Sequence, residues 1–144
     1  MILWRISNYA DLSGIGGLKF PARWHSKGKP IVYAAENPAL AMLEILVNSQ
    51  RSNLPDSYTL MTIEAPNSAQ IENISKLKLY WQFDENYTRD LGDKWLAGLT
   101  TPLLRVPSAV MPSSFNYLVN PSLKDAAQIK IVKHETHALD SRLR

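Results

Sequence analysis

The apolar positions of this chain recur with two different periods, which predict several short strands and two main helices. Residues 2–6 alternate as a strand does, with Ile2, Trp4 and Ile6 on one face and Arg5 on the other. Further strands are predicted at residues 31–35, 58–64, 103–111 and 129–132. This mixture of elements, in a chain of 144 residues, indicates an α+β fold in a single domain over residues 1–144.

The two predicted helices have recognisable ends. The first begins at Asn37, a residue type that caps helices, followed by Pro38, which is favoured at the first helical position. It fades near residues 49–51. The second helix covers residues 88–97, and Gly98 is its expected stop.

The remaining segments predict loops and turns. Residues 8–30 form a long irregular stretch, and its glycines fit neither a dinucleotide-binding nor a P-loop motif, so they are interpreted as turn residues. Residues 71–79 suit a short strand or a helical turn, and residues 81–87 suit a loop. Pro107 cannot donate to a strand ladder, so it predicts an edge, a bulge or a break beside Ser108.

Glu44 is the one carboxylate within an otherwise apolar helical segment, residues 39–47. A helix that is apolar nearly all round is normally buried, and a buried carboxylate must be paired, hydrogen-bonded or functional. The alternative is that Glu44 shares a solvent-facing stripe with Asn37, Asn48 and Arg51, because these positions fall close together on a helical wheel. The helical pattern alone leaves both readings open.

Arg5 and Ser108 lie, like Glu44, as single polar residues within apolar runs. Together with their surroundings, these three residues resemble the RES domain, a family named for its Arg, Glu and Ser. The resemblance covers almost the whole chain, and the segments that carry it are residues 3–5, 23–25, 33–44, 106–110, 116–121 and 139–143. The sequence departs from the family pattern at Ala22, where Gly is usual, and at His25, where Asn is usual, which leaves the role of His25 open.

The resemblance implies a fold and an activity. The expected fold is that of ADP-ribosyltransferases, with two packed small sheets and flanking helices around an NAD cleft. The expected function is a toxin that cleaves the nicotinamide–ribose bond of NAD, which is its substrate with no further cofactor, and passes the ADP-ribose to water or phosphate. The alternative is a protein ADP-ribosyltransferase that modifies a target side chain. The implied partner is an Xre-family helix-turn-helix antitoxin.

The resemblance also implies residue roles, each of which has a structural alternative. Glu44 is expected to stabilise the oxocarbenium-like transition state. Arg5 is expected to anchor the NAD phosphates or the ribose beside them, with Arg23 as a second anchor. Tyr33 would stack on nicotinamide or bond the ribose. Ser108 would bond the ribose or the nicotinamide amide, and Asn116 is a weaker candidate for NAD binding. The alternatives are a structural ion pair for Arg5, ordinary core packing for Tyr33, and turn chemistry for Ser108 and Asn116.

Composition and charge narrow the remaining classes of function. The net charge is only +3, from 16 Lys and Arg against 13 Asp and Glu, and it is spread along the chain. A nucleic-acid binder would more often concentrate it in a patch, so an RNA-targeting toxin is the less favoured reading. The intact Arg, Glu and Ser positions argue against a non-catalytic partner-binding module. There is no cysteine, no signal-peptide pattern and no apolar run long enough to span a bilayer, so a cytoplasmic location is expected. The segment from His134 to His137 is interpreted as a solvated tail rather than a metal site.

Overall fold

The computed structural model describes residues 1–144 and has a mixed α+β architecture. The structure contains seven strands: β1 (Ile2–Ile6), β2 (Val32–Ala35), β3 (Ser57–Glu64), β4 (Ile71–Asn73), β5 (Leu103–Pro107), β6 (Phe115–Val119) and β7 (Lys130–Ala138). The three α-helices are α1 (Ile15–Lys19), α2 (Pro38–Asn48) and α3 (Glu85–Gly98), and single turns of 3₁₀ helix occur at Arg51–Asn53, Trp81–Phe83, Lys124–Gln128 and Ser141–Leu143. No helix combines the length and the apolar character that crossing a membrane would need.

The strands are hydrogen-bonded into one sheet in the order β4-β5-β6-β2-β1-β3-β7. All neighbours are antiparallel except β4 and β5, which are parallel and are connected through α3. The expectation of two separate small sheets is wrong, because β1 and β2 pair through Trp4 and Ala35 and so join the two halves. This junction has one residue pair, whereas β1 and β3 pair from Ile2 to Ile6. The two halves are therefore continuous but narrowly connected.

Apolar side chains from alternate positions of the strands build a core on each face of the sheet. One core holds Val32 and Val119, together with Leu3 of the other half of the sheet. The second core holds their strand neighbours on the opposite face, including Leu118, packed against Trp95 of α3. The halves of the sheet thus share one core, while α3 covers the other face of β5 and β6.

Most predicted elements are confirmed at or near their predicted bounds. The strand at Ile2–Ile6 is present as predicted. The start of α2 is also confirmed, because the Asn37 side chain accepts a hydrogen bond from the Leu40 N–H at 2.8 Å and Pro38 is the first helical residue. Such a cap stabilises a helix by about 1 kcal/mol.

Three local predictions are wrong, and one strand was not predicted. The loop at residues 8–30 contains the short helix α1, and residues 115–119, for which the sequence predicted no element, form strand β6. Helix α3 begins earlier than predicted, because Asp84 caps it through the Tyr87 N–H, and it ends with Leu99 rather than Gly98 in the left-handed conformation. The segment expected to be a solvated tail, from His134 to His137, lies within β7 because it pairs with β3.

Helix α3 holds the loop at residues 22–26 against the body of the protein. Thr88 Oγ1 donates to the Arg23 carbonyl at 2.6 Å, and the Asp93 carboxylate accepts from both the N–H and the hydroxyl of Ser26. Between these contacts, Gly92 lets the helix touch the loop backbone: a Cβ at this position would lie 1.6 Å from the Trp24 carbonyl oxygen. The loop is irregular in conformation but fixed in position.

Replacing Gly92 by alanine should therefore destabilise the protein, although alanine is the better helix former. The new methyl group would force the helix and loop apart, and overpacking of this kind typically costs about 1–3 kcal/mol. The matched control is Gly98→Ala in the same helix, where a Cβ would meet nothing within 4 Å. Urea unfolding of both variants checks this, and equal midpoints for the two would contradict it.

Candidate active site

The candidate site lies where α2 meets the ends of β5 and β6. The apolar face of α2, including Leu40 and Ala41, packs on Trp4 and Ala35 at the narrow junction of the sheet. This packing turns the next part of the helix, with the half-buried Glu44, toward the ends of the two strands. The reading that Glu44 simply faces solvent is therefore wrong.

Glu44 is held by two donors that converge on one of its two carboxylate oxygens. Ser108 Oγ donates to Glu44 Oε1 at 2.6 Å, and Asn116 Nδ2 donates to the same oxygen at 2.8 Å. Glu44 Oε2 receives no hydrogen bond from the protein, yet it is not among the buried polar atoms that lack a partner. One oxygen is therefore fixed, and the other remains available to a ligand.

Ser108 occupies its position because β5 ends at Pro107. The Ser108 N–H donates to the Ser114 carbonyl oxygen, and its hydroxyl oxygen accepts from the Met111 N–H at 3.2 Å. Ser108 is fully buried, and its single hydroxyl proton is directed at Glu44. The side chain thus makes the turn contact that the sequence offered as an alternative and also holds Glu44, while its expected contact with NAD stays a prediction.

Asn116 reaches Glu44 from within a strand and not from a turn. Its backbone lies opposite Ala35 on one side and Val106 on the other. The start of β6 is fixed by Glu36, whose Oε1 accepts from the Phe115 N–H at 3.1 Å. Sequence reasoning missed Glu36; the available signal was a carboxylate directly before the helix start at Asn37.

Arg5 lies at the narrow junction between β1 and β2. Its Nη1 donates to the Tyr33 carbonyl oxygen at 2.9 Å, and no carboxylate is close enough to form an ion pair with it. Its Nε is buried and has no hydrogen-bond partner. Burial lowers the pKa of the Arg5 guanidinium, although the Asp11 carboxylate opposes this, and arginine stays charged at any physiological pH. The alternative of a structural ion pair for Arg5 is therefore wrong.

Tyr33 and Arg23 have partners other than those expected from the sequence. The Tyr33 hydroxyl lies 2.7 Å from His25 Nδ1 and accepts from the Trp24 N–H, and burial raises the pKa of this tyrosine. Arg23 donates to the Gln82 carbonyl oxygen at 2.9 Å and lies 3.7 Å from the Glu85 carboxylate, so it is tied to the segment before α3. The structure thus brings Glu44, Ser108 and Asn116 together and links Arg5 to Tyr33, while Arg23 stands apart. The NAD-binding roles of Arg5, Arg23, Tyr33 and Asn116 stay predictions.

A large concavity of the protein lies elsewhere. It has a volume of about 590 Å³ and is lined mainly by apolar side chains around Leu12, Val119 and Ile129, with Lys124 as its one charged group. None of the converging polar residues lines it. Catalysis needs polar groups in defined positions as well as a cavity, so the Glu44 site is the better candidate for the active site. No group of three or more histidine and carboxylate side chains is placed to hold a metal ion.

Two curated relatives match nearly the full length of the chain. A Pseudomonas putida protein named "Toxin Res" is 46% identical over 145 residues, with 99% of both chains covered. A Sphingobium protein named "Prs ADP-ribosylating toxin" is 35% identical over 152 residues, which covers 97% of this chain and 94% of the relative.

A family profile and a solved structure agree with these relatives. The crystal structure of the MbcT–MbcA toxin–antitoxin complex from M. tuberculosis contains a chain of the same fold, with a TM-score of 0.77, 18% identity, and 95% of this chain and 84% of that chain covered. The profile of the RES domain matches residues 2–140, almost the entire sequence. The chain therefore belongs to the RES domain family.

Proposed function

We propose that this protein is the toxin of a toxin–antitoxin pair and that it cleaves the nicotinamide–ribose bond of NAD. The observation that carries the proposal is the Glu44 carboxylate, which has Oε1 fixed by two donors and Oε2 free. Membership of the RES family and the relatives named as toxins support it. An ADP-ribosyltransferase-like fold, with its two halves joined in one sheet, belongs to this proposal as well.

The chemistry of the bond explains why one carboxylate suffices. When the bond between ribose C1′ and the nicotinamide nitrogen breaks, the bonding electron pair leaves with the nicotinamide, which departs neutral. The ribose becomes oxocarbenium-like, and its developing positive charge is stabilised by a carboxylate held nearby. Because the pyridinium leaving group is already cationic, no strong general acid is required. Glu44 Oε2 would face the ribose, while Oε1 stays bonded to Ser108 and Asn116.

Arg5 suits the anionic part of NAD. A buried guanidinium without a carboxylate partner is costly, and Arg5 still has a hydrogen-bonding nitrogen without an acceptor. Trp4 of β1 lies opposite Ala35 of β2, and Ala35 lies opposite Asn116 of β6. The strands that carry Arg5 and Asn116 are therefore separated by one strand, β2. At the spacing of strands in a sheet this corresponds to roughly 10 Å between backbones. The proposal places the pyrophosphate at Arg5 and the nicotinamide ribose at Glu44.

The acceptor of the ADP-ribose is water or phosphate in the favoured reading. A protein side chain is the second candidate, since the Sphingobium relative is named an ADP-ribosylating toxin. Purified protein should be incubated with NAD in three mixtures: buffer alone, buffer with phosphate, and buffer with cell lysate. Free ADP-ribose, or its 1-phosphate, identifies the first reading by chromatography, and ADP-ribose attached to protein identifies the second. Intact NAD in all three mixtures would refute the proposal.

The proposed partner is an Xre-family helix-turn-helix antitoxin. A protein that destroys NAD would harm the cell that makes it, so an inhibitor is needed. The structural neighbour from M. tuberculosis was solved as a toxin–antitoxin complex, which supports a partner of this kind.

Glu44→Gln should remove most NAD cleavage and leave the fold intact. The amide oxygen of glutamine can still accept from Ser108 and Asn116, but the charge that stabilises the ribose cation is lost. Losing one such electrostatic contact typically costs about 3–4 kcal/mol, or roughly 10²–10³ in kcat. The control is Glu64→Gln, an exposed carboxylate of β3. The rate of NAD cleavage by both variants is measured as nicotinamide release. Near-normal turnover by folded Glu44→Gln would rule out Glu44 as the catalytic carboxylate.

Ser108→Ala should lower kcat more than it raises KM. The Ser108 hydroxyl donates to Glu44, so its loss disturbs the catalytic carboxylate and not a contact with bound NAD. A hydrogen bond to a charged group contributes about 1.5–3 kcal/mol, which corresponds to roughly 10–100-fold in kcat. Initial rates over a range of NAD concentrations separate the two constants. A change confined to KM would show that Ser108 binds the substrate directly.

Arg5→Lys should impair NAD cleavage although the positive charge is kept. Lysine is a point donor and cannot reproduce the planar fork that holds the Tyr33 carbonyl and a phosphate together. We expect kcat/KM to fall by roughly 10–100-fold, the range for a lost charge-assisted hydrogen bond. Arg51→Lys, at an exposed position, is the control. Unchanged kinetics in Arg5→Lys would show that Arg5 contributes only its positive charge.

A further inference from the structure

Two aromatic side chains just before α3 project into solvent without a partner in the fold. Phe83 is 86% exposed and Tyr80 is 67% exposed. Neither ring packs against another aromatic ring or against a cation of the protein. Single exposed apolar residues are normal on a protein surface, so exposure by itself assigns no role to these two. Their role follows from the turn that carries them and from the groups beside it.

The turn that carries the two rings is fixed in position. Between them in the chain, Trp81 is buried and packs against Trp24, with 5.9 Å between the ring centroids. The Phe83 N–H donates to the Tyr80 carbonyl oxygen at 3.0 Å and closes the turn. Tyr80 has a φ of 61°, a left-handed conformation that a bulky residue rarely adopts. Backbone strain of this kind clusters at ligand-binding and active sites.

Arg23 lies against the same turn and has hydrogen-bond donors to spare. Its Nη1 donates to the Gln82 carbonyl oxygen at 2.9 Å, directly before Phe83 in the chain. Its Nη2 lies 3.7 Å from the Glu85 carboxylate, which is too far for a hydrogen bond. Glu85 is bonded more closely to Arg89, at 2.8 Å, so two guanidinium groups share one carboxylate. An anion at Arg23 would therefore find both charge and free donors beside the exposed rings.

Contiguous packing joins this turn to the candidate active site. The Tyr33 carbonyl oxygen accepts from Arg5, and the hydroxyl of the same tyrosine accepts from the N–H of Trp24, the residue after Arg23. One tyrosine thus spans the interval between Arg5 and the loop that carries Arg23. The core cluster that contains Trp24 and Trp81 also contains Val106, two residues before Ser108.

We propose that Tyr80 and Phe83 form a platform on which the adenine of NAD stacks. This inference rests on the proposed function of the Glu44 site. The two phosphates of NAD would lie at Arg5 and Arg23, which continues the path from the nicotinamide ribose at Glu44 to the two rings. A purine has a flat π-face that stacks on aromatic side chains, and arginine is well suited to bind the phosphate attached to the adenosine.

The size of the platform favours a nucleobase over a second protein chain. An aromatic side chain buries about 150–250 Å², so the two rings together supply less than the roughly 800 Å² that each partner contributes to a stable protein interface. A nucleobase needs only a ring face and a phosphate site at the right side of it. Arg23, bonded to the backbone between Trp81 and Phe83, provides that site.

The first test measures the binding of the two halves of NAD separately. AMP carries the adenine and one phosphate, and nicotinamide mononucleotide carries the other ribose and phosphate. Each is titrated into the wild type, Phe83→Ala and Tyr80→Ala, with binding followed by NMR chemical shifts. Both variants should bind AMP about tenfold more weakly, within the range for loss of one base–aromatic stack, and should bind nicotinamide mononucleotide as the wild type does.

Leu79→Ala is the matched control for these variants. Leu79 belongs to the same segment and is 79% exposed, but it has no ring. Its replacement should change the affinity for neither half of NAD. Phe83→Tyr, which keeps a ring at the position, should retain the wild-type affinity for AMP. In the wild type, AMP should shift the ring proton signals of Tyr80 and Phe83, a readout that requires no variant.

The kinetics of NAD cleavage give a second readout. Phe83→Ala should raise KM by about tenfold with little change in kcat, because the adenine is remote from the bond that breaks and contributes equally to ground-state and transition-state binding. Phe83→Tyr and Leu79→Ala should both keep the wild-type KM. A fall confined to kcat in Phe83→Ala would contradict the platform.

The outcomes separate this inference from the proposed function. AMP that fails to bind the wild type, or binds Phe83→Ala and Tyr80→Ala as tightly as the wild type, overturns the platform. Equal losses of affinity for AMP and for nicotinamide mononucleotide in Phe83→Ala also overturn it, because they show a general structural change. A wild type that binds AMP at these rings and leaves NAD intact refutes the proposed function and keeps the adenine site.

Discussion

The convergence of Ser108 and Asn116 on Glu44 Oε1 is the interaction on which the rest of the site depends. It joins α2 to the ends of β5 and β6, two consecutive strands that are far from α2 in the sequence, and it gives the carboxylate one fixed and one free oxygen. A carboxylate on a mobile side chain would lose much of its electrostatic effect to reorientation and solvent. Held by two donors, it is aligned before the substrate arrives, which is the condition for strong electrostatic stabilisation of a cationic transition state.

A second constraint fixes a loop beside the sheet. The loop at residues 22–26 has no regular structure, yet contacts from Thr88, Gly92 and Asp93 fix it to α3. This fixed loop carries His25 to the Tyr33 hydroxyl. Tyr33 therefore connects the loop to Arg5. The carboxylate and the arginine are positioned by different parts of the structure, which meet at the single pairing of Trp4 with Ala35.

The sequence predicted correctly those features that depend on residues close together in the chain. The cap at Asn37, the strand at Ile2–Ile6 and the α+β class follow from short patterns, and the resemblance to the RES family singled out Arg5, Glu44 and Ser108. The continuity of the sheet depends on one long-range pair, which no local pattern encodes. Strand β6 was missed because Phe115–Val119 is defined as a strand only by its pairing with β2 and β5. The partners of Tyr33 were missed for the same reason, since His25 approaches it only because α3 fixes the loop.

The most direct measurement of the central claim is a crystal structure of the inactive Glu44→Gln variant with NAD bound. We expect the side chain at position 44 to keep its oxygen on Ser108 and Asn116 and to turn its other terminal atom toward the ribose that carries nicotinamide. The pyrophosphate should lie against Arg5. NAD bound instead in the large concavity around Leu12, Val119 and Ile129, or bound with its nicotinamide ribose away from position 44, would contradict the assignment of Glu44 as the catalytic carboxylate.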